Sequence, residues 1–293
     1  MTLAGSPLTG VATAVPGVLS ELRRESAAVR PLVLSGAPSL TAELRSALSE
    51  GGDPDLVGSV GILDLDRPEV RDGAAVVYLV HQAATPGDEH ALRRADRSGI
   101  PLLCVIVGGS ERDVPILPYV LATDVIRTNE LDRPAIDAIA RRLAVRAPEH
   151  AWAIAGRLPA LRRGVMEQLV SRAARRNAIL SASSFAPGPD FPALTLGQLR
   201  LALRLMAARG MKTEGPALVA GLAGALAAGL AGRTLARRLR HRLPIPTPLI
   251  QAAVAYAGTR AVAEAVQRLP EQRATPGAAP AGTAGGSAPS TTL

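Results

Sequence analysis

Eight residues, Gly36-Ala-Pro-Ser-Leu-Thr-Ala-Glu43, stand between a short apolar run and an amphipathic stretch, at the point where a chain of this pattern could cradle a phosphate. A working cradle reads G-x-x-x-x-G-K-[ST]. Its glycines let backbone amides wrap the phosphates, its lysine neutralises their charge, and its hydroxyl holds Mg²⁺. Here Gly36 keeps the first position, but Thr41 stands for the second glycine, Ala42 for the lysine and Glu43 for the hydroxyl. Pro38 removes an amide donor, and Glu43 brings charge of the wrong sign. The only lysine in 293 residues is Lys212, far along the chain, so no conventional P-loop can be assembled.

The other positions where nucleotide chemistry would sit are equally reduced. Asp64 could reach a Mg²⁺ ion in the manner of a D-x-x-G motif, but no glycine follows at that spacing. Glu111, after Gly108-Gly109-Ser110, is the one side chain that could imitate the base-reading aspartate of N-K-x-D. His81, Asp88, Glu89 and His90 cluster in sequence, but their spacing matches no metal-ligand pattern, and ordinary polar loop residues are the simpler reading. Cys104 lies inside the apolar run PLLCVIV, where a buried thiol is mostly inert, and as the one cysteine it leaves no intramolecular disulfide. Neither a Ser nucleophile elbow nor H-E-x-x-H is present. The expectation is a chain with no catalytic residue, no metal and no cofactor.

The elements that must carry these residues follow from periodicity. Apolar runs at 31–35, 57–65, 74–81, 101–107 and 119–126 alternate with helical spacing at 40–48, 89–97 and 134–143. Alternation of this kind predicts a three-layer α/β domain over 30–147 with a largely parallel sheet. Residues 1–29 read as a weakly ordered arm with a short helix near 18–28. They lack the basic n-region and continuous apolar h-region of a signal peptide. After Pro148 the strands stop. A long basic helix is expected over 148–180, kinked at Pro159, then a Pro/Ser/Gly linker at 181–193. An all-α domain over 194–269 follows, with helices at 194–209, 216–243 and 248–269. The tail at 270–293 holds almost only small or polar residues and reads as disordered.

Charge divides the chain along the same line. Residues 1–150 hold 15 Arg against 20 acids, net −5, whereas 151–293 hold 18 basic residues against 5 acids, net +13. Within the basic half, 215–232 is an uncharged 18-residue stretch, and 243–259 is a second of 17. Ala220, Gly224, Ala228 and Gly232 form a small-residue face that lets another helix approach closely. Arg200 and Arg204 precede the first stretch, and Arg233, Arg237, Arg238, Arg240 and Arg242 follow it. Basic residues on every side disfavour a simple span, whose flanking charge is one-sided. They favour a helical hairpin, either buried in its own domain or held on an anionic membrane surface. Only six aromatic residues occur in the chain, which argues against a nucleic-acid binder despite the basic half.

The residues Leu196-Gly-Gln-Leu, Ala207-Ala-Arg-Gly210, Gly232-Arg233, Leu243-Pro-Ile-Pro-Thr-Pro248 and Ala255-Tyr-Ala-Gly-Thr-Arg260 give this region a further identity. It resembles the C-terminal domain of the YcjF-like family of uncharacterised proteins, which often accompanies an Era-like GTPase domain. The resemblance implies membrane association and a GTPase context without an established reaction. It also implies that 30–147 is a degenerate GTPase-like α/β domain. The expected function is therefore a pseudoenzyme, an interaction or regulatory protein on the cytoplasmic face of a membrane. Its partners would be the anionic membrane surface or a protein, a true GTPase among the candidates, with a homo-oligomer as a further candidate. The rival readings are a residual GTP-binding protein or hydrolase using Asp64 and Glu111, and a nucleic-acid binder.

Overall fold

The computed structural model describes residues 7–61, 63, 67–109, 117, 119–183, 191–211 and 247–268. Five strands form one parallel sheet: β1 (Leu32–Gly36), β2 (Val57–Ser59), β3 (Ala75–His81), β4 (Leu102–Val107) and β5 (Val125–Thr128). Their order is β2-β1-β3-β4-β5, a doubly wound arrangement whose connections reverse between β1 and β3. Because strand side chains alternate, each run feeds two faces. Leu32, Leu34, Val77, Leu79, Leu103 and Val105 pack on α2 (Pro38–Ser49) and α5 (Arg133–Arg146). Val33, Val76, Tyr78, Cys104 and Ile106 pack on α3 (Pro68–Arg71) and α4 (Pro86–Ser98). Helices thus cover both faces of an α/β sheet, as the alternation of runs requires.

Two boundaries differ from expectation. The fifth apolar run begins as a 3₁₀ turn at Ala122–Asp124, and the strand starts only at Val125. Asp124 is buried there and ion-paired with Arg142 and Arg146, at 3.8 and 3.4 Å, so a polar group displaces the strand's start. The long helix expected over 148–180 is in three pieces: α6 (Ala151–Arg157), a 3₁₀ turn at Pro159–Leu161, and α7 (Arg162–Ser183). Pro159 has no N–H for the helix ladder, and the preceding Leu158 is extended at φ −112°, ψ 94°, so the helix breaks instead of kinking.

The N-terminal arm is also more regular than its composition suggests. Residues Pro7–Ala27 form one helix, α1, which buries Val18 and Leu22 one turn apart. Two further helices complete the helical layer, α8 (Phe191–Ala208) and α9 (Thr247–Arg268). The expected linker at 181–193 gives way at both ends to helix. The expected helix over 216–243 lies outside the described residues, as does the tail.

Contacts fix the directions of these helices. Glu21 and Glu25 of α1 meet Arg200 and Arg204 of α8, so both helices advance together and are parallel. Gly210, just past α8, abuts Arg162 at the start of α7, while Gly197 near the start of α8 abuts Asn177 near the end of α7. Hence α7 and α8 are antiparallel. Asn177 donates from Nδ2 to Thr259 Oγ1 at 3.0 Å, and Arg209 after α8 donates to the Val266 carbonyl, so α9 runs with α8 and against α7. One apolar cluster continues from β1 and β3 through α2 and α5 into α6, α7, α8 and α9, with Trp152, Ile154 and Leu161 at its centre. The helical layer is therefore built onto one face of the sheet, and the sequence boundary at 147 has no gap in packing.

Candidate functional site

The turn from β1 to α2 holds the degenerate cradle. Gly36 has φ +105°, and a Cβ added there would stand 2.1 Å from the Leu79 carbonyl oxygen of β3. The neighbouring Ala37 N–H donates to that same oxygen at 2.9 Å. Glycine is thus needed at position 36 because two strands approach closely, whatever the turn binds. Pro38 opens α2 at its first turn, and Ala37 offers no side-chain cap. Thr41 is buried and donates from Oγ1 to the Ala37 carbonyl at 2.9 Å, which ties its hydroxyl into its own helix. Ala42 and Glu43 are exposed, and Ala42 lines the groove beside the turn. Asp64 and Glu111 lie outside the described residues.

Beside this turn runs a groove of about 480 Å³ between α2 and the edge strand β2. Thr41, Ser46, Ser49 and Ser59 supply hydroxyls to its lining, and Arg45 is the one charged side chain among the described residues that line it. Ser49 Oγ is buried without a hydrogen-bond partner among the described residues. A hydroxyl-lined groove with one guanidinium can hold a small polar or anionic group. Among the described residues that line it there is no base and no nucleophile activated by a neighbour.

On the other face, Tyr78 OH donates to Asp88 Oδ1 at 2.7 Å, and Asp88 Oδ2 accepts from Thr85 N and Thr85 Oγ1 at 2.8 and 2.7 Å. Thr85 and Asp88 form a reciprocal capping box at the start of α4. Burial alone would raise the Asp88 pKa. The hydrogen bonds from Thr85 and Tyr78 outweigh it and hold the carboxyl below its ordinary value. Burial, then the Asp88 hydrogen bond, pushes the Tyr78 hydroxyl up. Cys104, beside Tyr78 across the strand pair, is pushed up to about 12, first by burial and then by the Asp88 charge. Asp88 is therefore a helix cap, and Cys104 stays a thiol. His81 and His90 are exposed, and among the described residues no three His, Cys, Asp or Glu come together to hold a metal.

The helical layer places two of the expected basic binding residues against α1. Arg200 meets Glu21 at 2.7 Å and Arg204 meets Glu25 at 3.1 Å. Their charges are answered within the chain, which the sequence reading missed because the partners are 179 residues apart. Arg233, Arg237, Arg238, Arg240 and Arg242, and the small-residue face of Ala220, Gly224, Ala228 and Gly232, lie outside the described residues. A different set of cations is exposed on the layer: Arg172, Arg175, Arg176 and Arg260. Arg260 lies over the Tyr256 ring at 5.8 Å. Ile179 and Leu249 are 69% and 60% exposed, unusual for side chains of that size. The signal that could have found this end was in the sequence: the long gaps between charged residues around 177–189 and 243–259. Among the described residues, no helix is long and apolar enough to cross a membrane. No protein-family model matches the chain, and a search of curated proteins finds no significant match.

Proposed function

We propose that the protein is a non-catalytic interaction protein. Its α/β half is a GTPase-like domain whose phosphate turn has lost its chemistry, and its basic helical half associates with an anionic membrane face or a partner protein. The observation that carries this reading is the β1–α2 turn. There, proline removes an amide, the Thr41 hydroxyl is turned onto its own helix, and alanine and glutamate stand where lysine and a Mg²⁺-binding hydroxyl belong. Further support comes from the continuous core, which would transmit any docking of the helical layer rigidly to the sheet. Calorimetry with GTP and Mg²⁺ tests the first half: no heat of binding is expected at millimolar nucleotide. Micromolar affinity would favour the second reading, a residual nucleotide binder, for which the groove at Arg45, Ser49 and Ser59 is the supporting feature.

A further inference from the structure

The four helices α1, α7, α8 and α9 share one end. Asn177, Gly197 and Thr259 mark a common level across α7, α8 and α9. Val18 stands level with Gly197, since each precedes its ion-paired residue by three positions. Outward from that level the described helices contain residues 7–17, 178–183, 191–196 and 247–258, and not one of these residues is charged. Within the sequence, Asp190 is the one charge between Arg176 and Arg200. Ile179, Leu180 and Leu249 are exposed large apolar side chains here, and Tyr256, on the same outer part of α9, is 36% exposed.

Charge returns just inward of the level, and much of it is positive. Arg172, Arg175 and Arg176 are exposed on α7, and Arg260 is exposed on α9. None of these four makes an ion pair with a described acid. The nearest described acids on the layer are already committed: Glu21 to Arg200, Glu264 to Arg268 and Glu167 to Arg141 and Arg163. The arrangement is an uncharged, partly apolar end, an interfacial tyrosine, and a belt of arginines behind it. Such a gradient along the helix axes matches the depth profile of a bilayer interface, where aromatic rings and cations sit at the headgroups.

Length decides how deep the end can go. At 1.5 Å per residue, the 12 outer residues of α9 span about 18 Å. A bilayer's hydrocarbon core is about 30 Å thick. The uncharged end can therefore fill one leaflet and no more, and the arginine belt then stands at the phosphates.

We propose that the charge-free end of α1, α7, α8 and α9 inserts into a single leaflet of an anionic bilayer, with Arg172, Arg175, Arg176 and Arg260 on the lipid phosphates. This rests on the reading that the helical half meets an anionic surface, and it names the docking element and its depth. The occupant is a lipid leaflet because the belt offers cations without acids, which complements lipid phosphate; a second copy of the chain would bring the same uncancelled cations.

The test uses the full chain. Cys104 is fully buried, so a cysteine introduced at Ile179, Leu249 or the distant exposed Asp72 is the accessible labelling site for an environment-sensitive nitrobenzoxadiazole probe. With vesicles of 30% phosphatidylglycerol in phosphatidylcholine, the probes at 179 and 249 are expected to shift to the blue. Nitroxides on the upper acyl chain should quench the probe at 179 and nitroxides near the acyl-chain end the probe at 249, ten residues or about 15 Å beyond Thr259, while the probe at 72 should not respond. Ile179→Asp and Leu249→Asp, at exposed positions that leave the fold intact by circular dichroism, should weaken vesicle binding at least tenfold. Arg172→Gln/Arg175→Gln/Arg176→Gln should remove the preference for the anionic lipid. Vesicle binding with silent probes at 179 and 249 would overturn the insertion and leave the surface reading standing. No binding to either vesicle type would overturn both. A probe shift without lipid, together with a dimer by light scattering, would make this end a contact between copies and overturn the lipid assignment.

Discussion

Replacing Gly36 with alanine separates a glycine kept for packing from one kept for ligand. The perturbation acts through two terms. At φ +105° an L-residue is strained by about 1–3 kcal/mol. The new methyl would also stand 2.1 Å from the Leu79 oxygen, far inside contact distance, so β1 and β3 must part at the end of their ladder and strain the Ala37–Leu79 hydrogen bond. Forcing a methyl into packed structure costs about 1–3 kcal/mol. Together the loss is about 2–6 kcal/mol. Gly99 is the matched control: it has φ +71°, yet nothing lies within 4 Å of its added Cβ. Gly99→Ala carries the conformational term alone, about 1–2 kcal/mol. The assay is urea denaturation of both variants beside the parent, followed by far-ultraviolet circular dichroism. A Gly36→Ala midpoint no lower than that of Gly99→Ala would refute the close β1–β3 approach. The glycine would then need another explanation, such as a bound ligand.

Further outcomes follow from the same contacts. Reversing Glu21 and Glu25 to arginine should loosen α1 from α8, seen as faster amide exchange across α1, and Arg200→Glu/Arg204→Glu should restore protection; these pairs are partly exposed, so each contributes at most about 1 kcal/mol. Asn177→Val or Thr259→Val should each cost about 1–3 kcal/mol because a buried partner is orphaned, whereas the double variant should cost less than the sum of the two in a double-mutant cycle. Cys104 should resist a thiol reagent at pH 8 in the folded chain and react once urea unfolds it. Its thiol titrates at 9.0 when unperturbed and near 12 when folded. The folded chain therefore keeps a proton that the unfolded one releases, and stability should fall as pH rises from about 9 to 12, with Cys104→Ala flattening that slope.

The sheet was legible because each apolar run between amphipathic stretches is long enough to be a buried parallel strand; β2, β3 and β4 lie within the expected runs, and β1 passes the end of its run by one residue, Gly36. The fifth shifted because apolarity alone could not foresee a buried Asp124 held by two arginines from α5. Pro159 marks a disruption in the sequence, but the full break it makes depends on the backbone before it. A proline whose predecessor is extended ends a helix, and the short α6 that results buries Trp152 under the sheet layer. The N-terminal helix was illegible for a different reason. Its sequence contains two glycines and an internal proline, and its stability comes from α8, which supplies both the apolar contact and two arginines from 179 positions away. The same distance hid the fate of Arg200 and Arg204, whose charge looked free when read locally. At the candidate site, the motif comparison identified Thr41, Ala42 and Glu43 as chemically unsuited. It could not reveal that Gly36 is demanded by Leu79, because that contact joins two strands separated by 42 intervening residues.

The central claim is that a chemically silent α/β half rides on a helical layer made for an anionic surface. Flotation of the full chain with vesicles through a density gradient tests it most directly. The account predicts that the protein rises with vesicles containing phosphatidylglycerol, stays at the bottom with phosphatidylcholine alone, and neither gains nor loses binding when GTP and Mg²⁺ are added. A protein that stays at the bottom with both vesicle types at low salt would contradict it.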